Sequence, residues 1–329
     1  MPGTRRATHA NSWYSGSRSK LDNQLKGWLA AVEPSEDFAP PIKGCKAIIG
    51  PHAGYDYSGP TAAWAYKSID VTGIKRVFLL GPSHHVYLDG CALTTFANYA
   101  TPLGDLPVDA ETTAELKATG KFSSMSSRTD ENEHSIELHL PYVRKAFEGC
   151  DIRVVPVLVG AVNEKKEAEF GKLLAPYLEK DDTMFVVSSD FCHWGERFDY
   201  TFYYPAAPGG PPASLRLQTD ADIPKGGQPI HQSISRLDHE AIDLLTLPAP
   251  SSSAKEAHSS FANYLHRTSN TICGRHPIGV LLGALAALEE DGKGKAAIQF
   301  VKYAQSSACK TVEDSSVSYA SAYVTLEEA

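Results

Sequence analysis

The 329-residue chain has no stretch of consecutive apolar residues approaching the roughly 18 that a membrane-spanning helix needs, so no spanning segment is expected. Its opening, Met1 to Tyr14, carries Arg5 and Arg6 but no apolar run behind them, which argues against a secretory signal peptide. Positive charge is in deficit, with 31 Lys and Arg against 39 Asp and Glu, so no global field draws in phosphate backbones and nucleic acid is not an expected partner. CxxC pairs are missing. The six cysteines, Cys45, Cys91, Cys150, Cys192, Cys273 and Cys309, are scattered, and a chain of this length does not need disulfides; a reducing compartment, cytoplasmic or nuclear, fits best. No repeat period and no long heptad run appears, which excludes solenoids and coiled coils.

What remains is an ordinary globular composition, 42% hydrophobic with 25 Gly and 21 Pro, enough for one domain over 1–329 built as an α/β fold. Leu21, Leu25, Trp28, Leu29 and Val32 recur at helical spacing over 19–33. KAIIGPHAGY at 46–55 and KRVFLLGPSHH at 75–85 share one grammar, a short apolar run closed by Gly-Pro and then histidine, which reads as a buried strand delivering a His at its C-terminal end. DIRVVPVLVG at 151–160 and TMFVVSSDFCHW at 183–194 read as further strands, with a helix between them carrying Phe170, Leu173, Leu174, Tyr177 and Leu178. Alternating strands and helices predict a doubly wound, largely parallel sheet with helices on both faces. The stretch 204–230 contains PAAPGGPP and little periodicity, and reads as a flexible surface insertion. Helical spacing returns after it, and AIQFVKYAQSS and SSVSYASAYVTL end the fold as strands.

Ligands in an open parallel sheet bind beyond the carboxyl ends of the strands, and His52, His84, Asp190 and His193 all fall just after predicted strands. Imidazoles with a carboxylate or thiolate are what a first-row divalent metal takes up, although each His alone could equally bond a neighbour. In ENEHSIELHLPY at 131–142, His134 and Glu137 stand one helical turn apart, flanked by Glu133 and His139. They could present an acid/base pair to the pocket or form a buried pair that orients loops; the spacing is not HExxH, so zinc-protease chemistry does not follow. In NTICGRHPIG at 270–279, Cys273, Arg275 and His276 precede a helix that Pro277 starts, and a thiol there is biased toward thiolate and could ligate a metal. Cys273 could also be a small buried hydrophobe, which is the better reading of Cys192.

Nine blocks in order, HANSWY at 9–14, PHAGYDYSG at 51–59, GPSHH at 81–85, EHSIELHLP at 133–141, PVLVG at 156–160, VVSSDFCHWG at 186–195, NTICGRHPIGVLL at 270–282, YAQSS at 303–307 and DSSVSYA at 314–320, closely resemble the Memo family, the mediator of cell motility proteins. The resemblance spans about His9 to Val324, with only 204–230 longer than the pattern. It implies a fold shared with class III extradiol dioxygenases, non-heme iron enzymes with a two-His, one-Glu metal site and a further acid/base His. On the matching motifs, His52 and His84 correspond to the histidine ligands, Cys273 stands where the carboxylate would be, and His193 matches the acid/base histidine, with Asp190 beside it. A thiolate for a carboxylate shifts preference toward copper or zinc over iron, so ring cleavage of a small-molecule substrate with dioxygen is not simply inherited. The family implies copper- or iron-dependent redox activity, and also an adaptor role in which a phosphotyrosine peptide of a signalling protein enters the pocket, met by Arg275, His276 and helix N-terminal amides. Asp190 with two histidines on zinc would be the arrangement of a hydrolase.

Overall fold

The computed structural model describes residues 3–205 and 214–327. Its framework is a sheet of nine strands, β1 (Cys45–Gly50), β2 (Arg76–Pro82), β3 (Cys91–Leu93), β4 (Phe122–Ser124), β5 (Arg153–Val159), β6 (Thr183–Ser188), β7 (His193–Trp194), β8 (Lys295–Gln305) and β9 (Ser316–Glu327). They lie in the order β7, β9, β1, β6, β2, β5, β3, β4, with β8 also paired to β9. The middle strands β1, β6, β2 and β5 are mutually parallel. Both flanks are antiparallel, β9 on β1 and β3 on β5. The sheet is therefore mixed, with a parallel centre, and less parallel than strand-helix alternation predicts. Its last two strands follow each other directly, and such neighbours pair antiparallel because no crossover helix intervenes.

In chain order the helices are α1 (Arg18–Ala30), α2 (Tyr55–Lys67), α3 (Ala110–Ala118), α4 (Ser127–Asn132), α5 (His134–Glu137), α6 (Leu140–Ala146), α7 (Glu164–Leu178), α8 (Ile230–Leu245), α9 (Ala254–Thr268) and α10 (Arg275–Glu290). Side-chain alternation along the strands builds two cores. Ile48, Val77, Leu79, Val154, Met184 and Val186 pack against α1, α2 and α6. Ala47, Ile49, Phe78, Val155, Phe185 and Val187 face the opposite way, toward α7, α8, α9 and α10. Continuous apolar runs are what strands covered on both faces require. Several helices start at side-chain caps: Asp109 accepts from Thr112 N, Asn163 from Lys166 N and Ser253 from Glu256 N.

One local expectation is corrected. TMFVVSSDFCHW is not one strand: β6 ends at Ser188, and the chain turns so that His193–Trp194 pairs with the start of β9. Cys192 N donates to the buried Asp238 carboxylate, and Phe191 N to Ser318 O, which holds the new direction. Around the 204–230 stretch, Phe202–Tyr203 just before it pairs antiparallel with Leu215–Arg216 within it, Leu217 is buried, and the Tyr203 hydroxyl donates to Gln228 O. Residues 206–213, which include most of PAAPGGPP (205–212), lie outside the described residues.

Candidate metal centre

β1, β6 and β2 are adjacent, and each ends two residues before a polar side chain, His52, Asp190 and His84 respectively. The three therefore meet at one edge of the sheet, at a cleft of about 510 Å³ that His134, His193 and Trp13 also line.

Each ring nitrogen facing away from the cleft is tied down. The Ser188 hydroxyl donates to Ser135 O (2.7 Å), so its oxygen accepts from His52 Nδ1–H (2.6 Å) and leaves Nε2 bare. His84 donates Nδ1–H to Glu133 Oε1 (2.8 Å) and its backbone N–H to Glu133 Oε2 (2.7 Å). Burial works to raise the Glu133 carboxyl, but its hydrogen bonds and charge interaction with His84 prevail and hold it at about 2. His193 directs Nδ1–H at the carbonyls of Phe191 (2.9 Å) and Thr271 (3.2 Å). A carboxylate or carbonyl on the far nitrogen is the arrangement that orients metal-binding histidines.

Cys273 arrives from the loop before α10. Its Sγ lies 3.2 Å from His52 Nε2 and accepts from Asp190 N at 3.3 Å. One ligand atom each from His52, His84 and Cys273 falls within 4.8 Å of the others, and the same holds for Asp190, His193 and Cys273. Imidazole nitrogens around a sulfur fit a borderline or soft transition metal. Against the bias toward thiolate that a helix start gives, burial first, and then the neighbouring Asp190 carboxylate, push the Cys273 thiol well above its ordinary value. A metal bound at this sulfur would have to displace the thiol proton. Burial likewise drives His52 well below the usual imidazole value, and His134 to about 3.

Other predicted residues are placed differently. His134 lines the cleft, its ring stacked on His84 at 4.3 Å between centroids and tilted against Trp13 at 4.5 Å. Glu137, one turn on, does not join it: the buried carboxylate accepts from Arg5 Nη1 (2.7 Å), His9 N and Nδ1 (2.8 Å each) and the Tyr14 hydroxyl (2.9 Å). The helical pairing fails because α5 is a single turn rolled so that these two side chains face different neighbours. Arg275 and His276 are also not in the cleft. They line a separate depression with Glu167 and His258, where His276 Nδ1 bonds Glu167 Oε1 at 2.6 Å. Their side chains line that depression and not the cleft.

Features that pattern reading passed over include Ser188, Arg5 and the cleft wall of Arg197, Phe198 and Ser306. Arg197 sits with its guanidinium over the Phe198 ring at 4.4 Å. Only the YAQSS and DSSVSYA blocks, quoted for likeness without a role, signalled that wall.

A family model described as Memo-like protein matches residues 5–323. The chain belongs to the Memo-like family. It is 48% identical over 318 residues to Protein MEMO1 of Xenopus laevis, covering 96% of this chain and 95% of that one. Identity to Protein MEMO1 of Homo sapiens is 46% over 324 residues, with 98% and 97% covered. Among solved structures, the uncharacterized protein JW3007 of Escherichia coli K12 is similar with a TM-score of 0.47 at 15% identity, covering 84% of this chain and 98% of that chain.

Proposed function

We propose that this protein binds a redox-active transition metal, copper or iron, at His52, His84 and Cys273, in a pocket of the class III extradiol dioxygenase type, and acts in the cytosol as an oxidoreductase. The observation that carries the reading is the convergence of two imidazoles and a thiol within 4.8 Å, with the far nitrogens of both rings already bonded. The metal would supply one-electron chemistry toward dioxygen or a small molecule entering the cleft. His193 Nε2 is free to take or give a proton at the cleft surface, and Asp190, its charged form disfavoured by burial, stands beside it. Trp13 and His134 wall the site on one side, limiting water there.

Metal analysis of protein purified without added metal or chelator tests this, repeated on Cys273→Ser with oxygen uptake followed in parallel. Copper or iron near one equivalent, lost in the variant together with oxygen uptake, is the expected outcome. Protein that neither carries copper or iron nor accepts either on reloading would overturn the reading.

A second reading, a signalling adaptor tied to cell motility that takes a phosphotyrosine peptide into the same cleft, is favoured by one feature. Arg197 at the cleft wall makes no ion pair among the described residues and could meet a phosphate. Titration with phosphorylated and unphosphorylated peptides would show a preference lost in Arg197→Ala; equal affinities would remove this reading.

A further inference from the structure

We propose that His276 is a phosphoryl-accepting histidine, modified at Nε2 in the depression between α7, α9 and α10, apart from the cleft and independent of any metal bound there.

The depression encloses about 210 Å³, and the nearly buried Glu167 lines it. Both carboxylate oxygens meet imidazoles, Oε2 at His258 Nε2 and Oε1 at His276 Nδ1, each at 2.6 Å. Burial works to raise the Glu167 carboxyl, but the hydrogen bonds from His258 and His276 and their charge interactions prevail and keep it below its ordinary value. It therefore stays the acceptor, and each ring donates one N–H. The carboxylate is also packed from behind, since a Cβ on Gly279 of α10 would stand 2.3 Å from Glu167 Oε2.

With Nδ1–H committed to Glu167, the lone pair of the His276 ring lies on Nε2. Among the described residues Nε2 bonds nothing, yet the buried polar atoms without a partner are only Gln24 Oε1, His139 Nε2 and Asn270 Oδ1, so Nε2 opens to solvent. A carboxylate on one imidazole nitrogen raises the basicity of the other, and with it the nucleophilicity. His258 shares the carboxylate but is the more enclosed of the two, its side chain 7% exposed against 19% for His276.

The surroundings suit the product. Arg275 lines the same depression, makes no ion pair among the described residues, and gives only Nη1 to the Ile272 carbonyl at 3.3 Å. Its remaining N–H groups are free to take phosphoryl oxygens. His276 stands in the first turn of α10, where there is no acidic side chain and no side-chain cap, so the positive end of that helix faces the added charge. Glu164 brings the opposite influence at the rim and is held by the Ser259 hydroxyl at 2.8 Å.

The donor is of the acyl phosphate class. The Nε2 lone pair attacks phosphorus, the bond from phosphorus to the acyl oxygen breaks, and its electron pair leaves with the carboxylate product. No proton has to move. The ring keeps Nδ1–H and becomes a phosphorylated imidazolium whose positive charge Glu167 balances.

The experiment incubates the full chain with acetyl phosphate and maps the modified positions by peptide mass spectrometry without acid, because phosphorylated histidine is lost in acid and survives base. His276 should be modified about 10-fold faster than His85 and His266, which are exposed and bond no carboxylate among the described residues. Glu167→Gln keeps the shape without the charge and should slow His276 by about 10-fold while His85 and His266 react as before. Arg275→Gln should slow it as well. In the unaltered protein, where folding is not in question, His276 reacting no faster than the exposed histidines would overturn the proposal. A parental rate at His276 in Glu167→Gln would overturn it too.

Discussion

Arg5 carries a full positive charge at 1% exposure, and it is stable there because its guanidinium meets Asp130 at 3.0 Å and Glu137 at 2.7 Å and also donates to the carbonyls of Asp130 and Glu133. One side chain thereby ties the N-terminal segment to the loop that supplies Glu133 and His134. Removing it would leave two buried carboxylates without their guanidinium, so Arg5→Met should lower stability by about 3–5 kcal/mol, measured by urea unfolding. An unchanged unfolding midpoint would show that the clasp contributes nothing net. Glu133 acts one contact away from a candidate ligand. Glu133→Gln keeps the shape but loses the charged acceptor of His84 Nδ1–H, and metal affinity should fall by about 10- to 100-fold in a chelator competition titration. Affinity equal to the unaltered protein would mean the ring is oriented by something else.

At the scale of elements, α7 and α10 approach closely enough that glycine is required between them. A Cβ on Gly171 would stand 2.4 Å from Ala284 N and 2.6 Å from Val280 O, both backbone atoms that cannot move aside without shifting the helix. Gly171→Ala should therefore force the helices apart and destabilise by about 1–3 kcal/mol. Thermal unfolding checks this, and a variant as stable as its parent would show that the pair separates freely. Because α10 begins at Arg275, just after Cys273, a displaced α10 should weaken metal binding too. The strands carrying His52 and His84 were legible from their apolar runs and Gly-Pro closures. The block at 131–142 was not, because helical spacing in a short stretch cannot reveal that Glu133 caps a single turn and that the chain restarts as α6 at Leu140.

Across the whole molecule, the buried histidines and glutamates set a pH dependence of one sign, opposed by the buried Asp130, Asp190 and Asp238, whose carboxyls burial raises. Burial holds His134 and His139 at about 3, against 6.5 for an unburied imidazole. Between those values the unfolded chain binds protons that the folded chain refuses, so the contribution is full above pH 6.5 and is lost as pH falls. Glu133 and Glu137, held at about 2 against 4.5, act in the same direction, their contribution being lost as pH drops from 4.5 toward 2. The urea midpoint should thus decline steadily from pH 7 to pH 4. A midpoint constant over that range would contradict the burial of these histidines.

The local signals sufficed for the α/β class, for the central strands and for the family, because apolar runs, turn residues and contiguous motif blocks are properties of neighbouring positions. They also put His52, His84 and Asp190 just beyond strand ends, which the adjacent order of β1, β6 and β2 then turned into one site. Tertiary structure alone decided the rest. It rolled Glu137 toward Arg5 and turned Arg275 and His276 into another depression. It also brought Cys273 to His52 across 221 positions of chain. Direction around a helix, partner across a sheet and the dielectric surrounding a thiol depend on atoms far away in sequence, and no pattern of neighbours encodes them.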